Sequence, residues 1–103
     1  MSYKILLVDD DPDILEIIGY NLKKEGYEIF TAEDGFIAIE QAKKNQPNLI
    51  ILDVMMPNMN GIEACTKIRE IPEMSKTIIT FLTARSEDYS QIAGLEAGAD
   101  DYL

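Results

Sequence analysis

The chain has no histidine and a single cysteine, Cys65, among its 103 residues. One cysteine excludes an internal disulfide, and without histidine or a second thiol there is no ligand cluster for zinc. That usage fits a reducing cytoplasm. Basic residues are scarce as well: 9 Lys and Arg stand against 19 Asp and Glu, a formal net charge of -10. A surface with that balance repels a phosphate backbone, so direct nucleic-acid binding is excluded as the activity of this segment. Long apolar runs are missing too. Met1-Ser2-Tyr3-Lys4 leads into only four apolar residues, Ile5 to Val8, too few for the core of a signal peptide. Nothing approaches the ~20 residues that a membrane span needs. No repeat or low-complexity stretch is present. What remains is 47% hydrophobic and 27% charged, enough for one packed domain, residues 1–103, around a modest core.

The pattern along the chain alternates short apolar runs with helical spacing. Ile5-Leu6-Leu7-Val8 is a run closed by acids, as in a strand buried on both faces. Asp11-Pro12 reads as an N-cap followed by proline at the first helical position, with Ile14, Leu15, Ile17, Ile18 and Leu22 recurring over a helix from Pro12 to about Glu25 before Gly26. Tyr27 to Thr31 is a second strand. Asp34-Gly35 opens a helix with Ile37, Ala38, Ile39 and Ala42 as its inward stripe, ended by Gln46-Pro47-Asn48. Leu49-Ile50-Ile51-Leu52 repeats the first strand and runs directly into Asp53. A loop through Met55-Met56-Pro57 to Gly61 follows, then a helix to about Glu70 for which Asn60 and Glu63 have capping-box spacing. Thr77 to Leu82 is a fourth strand. A helix capped by Ser86 stops at Gly98, and Asp101-Tyr102-Leu103 begins a fifth strand. Strands alternating with helices of this length predict an α/β fold: a doubly wound parallel sheet covered on both faces.

In such a sheet the ligand crevice lies beyond the carboxyl ends of the strands. Asp9 and Asp10 follow strand one, Asp53 follows strand three and Thr83 follows strand four, so these groups are expected at one edge. Carboxylates crowded there repel one another and raise one another's pKa, a cost that a cation removes. An all-oxygen ligand set favours a hard ion, and Mg²⁺ suits a sparse site of this kind. Beside such an ion a carboxylate can act as nucleophile toward a phosphoryl group. Asp53, alone at the tip of a buried strand, is the candidate; Asp9 and Asp10 suit metal ligation, and the Thr83 hydroxyl suits a hydrogen bond to the phosphoryl oxygens. Singly, Asp9-Asp10-Asp11 is equally a solvated turn with a helix cap, Thr83 a strand-end residue and Tyr102 a half-buried aromatic.

Four segments in series, Lys4 to Pro12, Leu52 to Pro57 with Gly61, Leu82 to Arg85, and Gly98 to Tyr102, resemble the receiver domain of bacterial two-component response regulators. The resemblance implies a flavodoxin-like sheet of strand order 2-1-3-4-5, with Asp53 as the aspartate phosphorylated by a histidine kinase. It implies Mg²⁺ held by Asp10, Asp53 and the backbone carbonyl of Met55, with Asp9 helping through water. Thr83 matches the switch hydroxyl, Ala84 the small residue beside it, and Tyr102 the aromatic that moves with Thr83. The segments around Leu82–Arg85 and Asp100–Tyr102 look most like receivers of winged-helix transcription factors, which implies an output domain of the same polypeptide that binds DNA. The domain is then a signalling module and not an enzyme acting on a metabolite. The family pattern also carries a lysine and a last helix beyond the segment matching Asp101 to Leu103. The chain stops two residues short of that lysine, so the reading is of a truncated receiver, and self-association over the face left without the final helix is expected.

Three other readings compete. A phosphohydrolase passing through an aspartyl-phosphate needs a second acid and a cap insertion, which the sequence does not offer. A flavin-binding module of related winding needs a phosphate-binding loop after strand one, where Asp9-Asp10-Asp11 repels phosphate. A receiver-like adaptor that is never phosphorylated is the remaining alternative.

Overall fold

The computed structural model describes residues 3–82 and 101–102. Strands β1 (Lys4–Val8), β2 (Glu28–Ala32), β3 (Leu49–Asp53), β4 (Ile78–Leu82) and β5 (Asp101–Tyr102) pair in parallel in the order β2-β1-β3-β4-β5. Helices α1 (Pro12–Lys24), α2 (Gly35–Asn45) and α3 (Gly61–Arg69) connect them, with a short 3-10 turn at Pro72–Met74. The expected doubly wound sheet is therefore what forms. Because β1 and β3 are central, each is nearly continuous in apolar residues. Their register sets Leu7 beside Ile51 and Val8 beside Leu52, so the residues that follow both strands emerge side by side.

The sheet has two unequal faces. Leu6, Val8, Ile50, Leu52, Ile79 and Phe81 point to the side of α2 and α3, where Ala38, Ala42, Ala64, Cys65 and Ile68 close a fully buried core. The α1 side holds a smaller cluster of Ile5, Leu7 and Leu15, with Leu49 and Ile51 only partly covered and Ile78 exposed. Among the described residues the first face holds the larger buried apolar cluster, and burial of apolar surface is the main driving force for folding.

Side-chain caps form at three helix starts: the two read from the sequence, at Asp11 and Asn60, and a third at Asp34. Asp11 accepts from the Asp13 N–H, Asp34 from the Ile37 N–H, and Asn60 and Glu63 make a reciprocal capping box. Each satisfies backbone donors that a helix start leaves unpaired. Four details depart from expectation. Strand β2 starts at Glu28 and not Tyr27, because the Tyr27 N–H bonds the Leu22 carbonyl and its ring packs edge-on against Tyr3. Strand β4 starts at Ile78, since the Thr77 N–H closes the 3-10 turn on Met74 and its hydroxyl donates to the Pro47 carbonyl. Ile37 is exposed: the inward face of α2 is Gly35, Ala38 and Ala42, with Ile39 half-buried beside them. Ile17 of α1 also faces outward. The helix expected to start at Ser86 lies outside the described residues.

Candidate functional site

The carboxyl ends of β1 and β3 place three acids together. Asp9 follows Val8, Asp10 follows Asp9, and Asp53 is the last residue of β3. One ligand oxygen from each of Asp9, Asp10 and Asp53 lies within 4.8 Å of the others. Asp9 is 9% exposed, Asp53 is half-buried and Asp10 is exposed. The neighbouring backbone holds this arrangement: the Asp9 N–H bonds the Ala32 carbonyl at 3.1 Å, and the Asp11 N–H donates to the Asp9 carboxylate at 2.9 Å.

Burial, reinforced by charge crowding, raises the pKa of the two inner acids. Burial raises Asp53 from its ordinary 3.8 to about 6, and the charges of Asp9 and Asp10 push the same way. Hydrogen bonds from the backbone N–H groups of Met55 and Val54 oppose the rise without cancelling it. Asp9 is raised as well, first by burial and then by the charges of Asp10 and Asp11, against the lowering effect of the Asp11 N–H. A cation shared by the three oxygens favours the ionised forms, and a donor set of oxygens alone selects a hard ion.

The loop beyond Asp53 is closed on itself. The Gly61 N–H bonds the Val54 carbonyl at 2.9 Å, and the Met59 N–H bonds the Pro57 carbonyl at 2.7 Å around Asn58, whose φ is 68°. Gly61 lies so close to β3 that a Cβ there would meet the Asp53 carbonyl oxygen. Met55 sits in this loop with its side chain exposed, two residues beyond Asp53. Thr83 and Ala84 lie outside the described residues. Of Tyr102 the backbone alone is placed, opposite Phe81 in β5. The structure thus brings Asp9, Asp10 and Asp53 together and puts Met55 on the adjoining loop. Sequence reasoning placed Gly61 at the end of the loop and Gly35 at the start of a helix but gave no role to Met59, whose contact with Gly35 joins residues 24 positions apart.

Comparison with known proteins agrees with this geometry. Residues 5–103 match the response regulator receiver domain family. The alkaline phosphatase synthesis transcriptional regulatory protein PhoP of Bacillus subtilis is 45% identical over the whole chain, which spans 42% of that protein's length. The chemotaxis protein CheY4 of Vibrio cholerae superposes with a TM-score of 0.96 at 34% identity, covering 100% of this chain and 86% of that one. A sensor histidine kinase receiver domain from Pseudomonas aeruginosa, solved with a magnesium ion coordinated in its active-site cleft, gives 0.91 at 30% identity, covering 100% and 84%. No helix among the described residues is long and apolar enough to cross a membrane. With its sheet order, its acidic cluster and its match across residues 5–103, this chain belongs to the response regulator receiver domain family.

Proposed function

We propose that residues 1–103 form one phosphorylation-controlled receiver domain in which Asp53 accepts a phosphoryl group from a histidine kinase. The observation that carries this reading is the meeting of Asp9, Asp10 and Asp53 within 4.8 Å at the carboxyl edge of the sheet. In this reading Asp10, Asp53 and the Met55 carbonyl hold Mg²⁺, with Asp9 acting through water. When bound, the ion neutralises charge on the transferring phosphoryl oxygens and favours ionised carboxylates. Asp53 then acts as nucleophile: a carboxylate oxygen forms a bond to phosphorus while the phosphorus–nitrogen bond of the donor phosphohistidine breaks and the imidazole leaves with that electron pair. Its backbone donors from Val54 and Met55 fix the carboxylate's orientation. Thr83 and Ala84 are assigned beside the phosphoryl group and Tyr102 to the switch that reports it.

In this reading the domain works in the cytoplasm, and its partners are a histidine kinase and an output domain of the same polypeptide. The 45% identity to the PhoP transcriptional regulator favours an output domain that binds DNA. The domain is a signalling module that assists its own phosphorylation. Acetyl phosphate with Mg²⁺ is expected to add one phosphoryl group to the protein, mapped to Asp53 by mass spectrometry and lost in Asp53→Asn. Absence of that adduct in both this chain and the full-length polypeptide refutes the assignment.

A further inference from the structure

Surface loops normally carry polar residues and run over the outside of a fold. The loop between β3 and α3 breaks that habit at Met59, which is 5% exposed and belongs to the larger core cluster. Its side chain lies flat on the first residue of α2. A Cβ built on Gly35 would stand 2.8 Å from Met59 Cβ, 2.8 Å from Cγ and 2.9 Å from Sδ. Contact with Cγ or Sδ alone could be relieved by rotating the side chain. Contact with Cβ cannot, because Cβ moves only with the backbone, so the loop's main chain is registered against α2.

The remainder of the loop is held locally. Its ends are tied by the Gly61 N–H to the Val54 carbonyl, and its tip is tightened by the Met59 N–H to the Pro57 carbonyl. Met56 packs partly against the same core. A loop restrained in this way moves as a unit, and Met59 is where that unit grips a second element. Met55 and the backbone donors to Asp53 belong to the same unit.

We propose that Met59, seated on the bare Cα of Gly35, is a positioning residue that sets the loop carrying Met55 beside Asp53 and so tunes the affinity of the acidic site for a divalent cation. The inference rests on the Mg²⁺ reading above and adds a residue that touches neither ion nor phosphoryl group. Groups that orient metal ligands from behind typically change metal affinity by about 10–100-fold when altered. An apolar residue that only fills a core changes the unfolding midpoint and leaves such affinity alone.

The test is titration of the whole chain with MgCl₂ by calorimetry, paired with thermal unfolding in EDTA. Gly35→Ala, which forces Met59 off its seat, and Met59→Gly, which removes the Cβ and with it the grip, are each expected to weaken Mg²⁺ binding about tenfold. Met59→Leu keeps a side chain of similar volume and folds with little loss; it is expected to restore affinity to within about twofold of wild type. If Gly35→Ala fails to fold, the two Met59 variants decide. Wild-type affinity in Met59→Gly, with only a lower midpoint in EDTA, overturns the role of Met59 and leaves the Mg²⁺ reading standing. A wild-type chain that takes up no Mg²⁺ overturns the site reading and the inference with it.

Discussion

At the amino end of the sheet polar groups are paired with care, whereas at the carboxyl end like charges are pressed together. Asn48 bonds β1 twice, through its side chain to the Lys4 N–H at 2.8 Å and through its own N–H to the Lys4 carbonyl at 2.9 Å. The buried Thr77 hydroxyl donates to the Pro47 carbonyl, and Arg69 reaches from α3 to the carbonyls of Met74 and Thr77. Opposite, Asp9 and Asp53 are driven to raised pKa values by burial and by their acidic neighbours. One end holds the strands together, and the other keeps an arrangement that is unfavourable until a cation joins it.

The comparison breaks most visibly at the hinge between strand and loop. Gly61→Ala puts a methyl group into the Asp53 carbonyl. Overpacking of this kind costs about 3 kcal/mol, a fall of roughly 10–20 °C in melting temperature measurable by circular dichroism. At the amino end, Arg69→Ala leaves the Met74 and Thr77 carbonyls without this charged donor and is expected to lower stability by about 2 kcal/mol. Mg²⁺ affinity should stay at the wild-type value, because Arg69 is remote from the acids; a loss of affinity would show that the two ends are coupled.

At the carboxyl end the sign reverses. Asp53→Asn removes one of the crowded charges and should stabilise the protein in EDTA, by about 1 kcal/mol once solvent screening at a half-buried site is allowed for. It should also abolish most of the gain in melting temperature that Mg²⁺ gives the wild type. Titration sharpens the same contrast. Since the folded state holds Asp53 at about 6 and the unfolded chain at its ordinary 3.8, the folded state binds more protons between those values. Stability in EDTA is therefore expected to fall as pH rises from about 4 to about 6, with Asp9 adding in the same direction. Saturating Mg²⁺ should flatten that slope, and urea unfolding across the pH series checks it.

What was legible in the sequence was what local pattern encodes. The apolar runs Ile5–Val8 and Leu49–Leu52, each ending in acid, located the central strands and so the edge where the carboxylates meet. Asp11-Pro12 and the Asn60/Glu63 pair gave helix starts because a cap is chemistry within three residues. The start of β2 was placed one residue early because the Tyr27 N–H is committed to the end of α1. The 3-10 turn at Pro72–Met74 and its Arg69 clasp were not foreseen, since a guanidinium choosing carbonyls leaves no periodic trace. Ile17 and Ile37 look like core residues by composition and face solvent by geometry. Met59 against Gly35 was invisible for the same reason: the fit belongs to two segments and is written in neither.

The parallel register of β1 on β3 makes counting, rather than identity, the rule that brings the acids together. Val8 stands beside Leu52, so the next positions come abreast whichever branched aliphatics precede them. Many substitutions within these strands should leave the meeting point where it is. A single inserted or deleted residue inside β1 would turn the following side chains toward the opposite face, and the cluster would dissolve with its composition unchanged. The site is in this sense a ruler: it forgives spelling and not length.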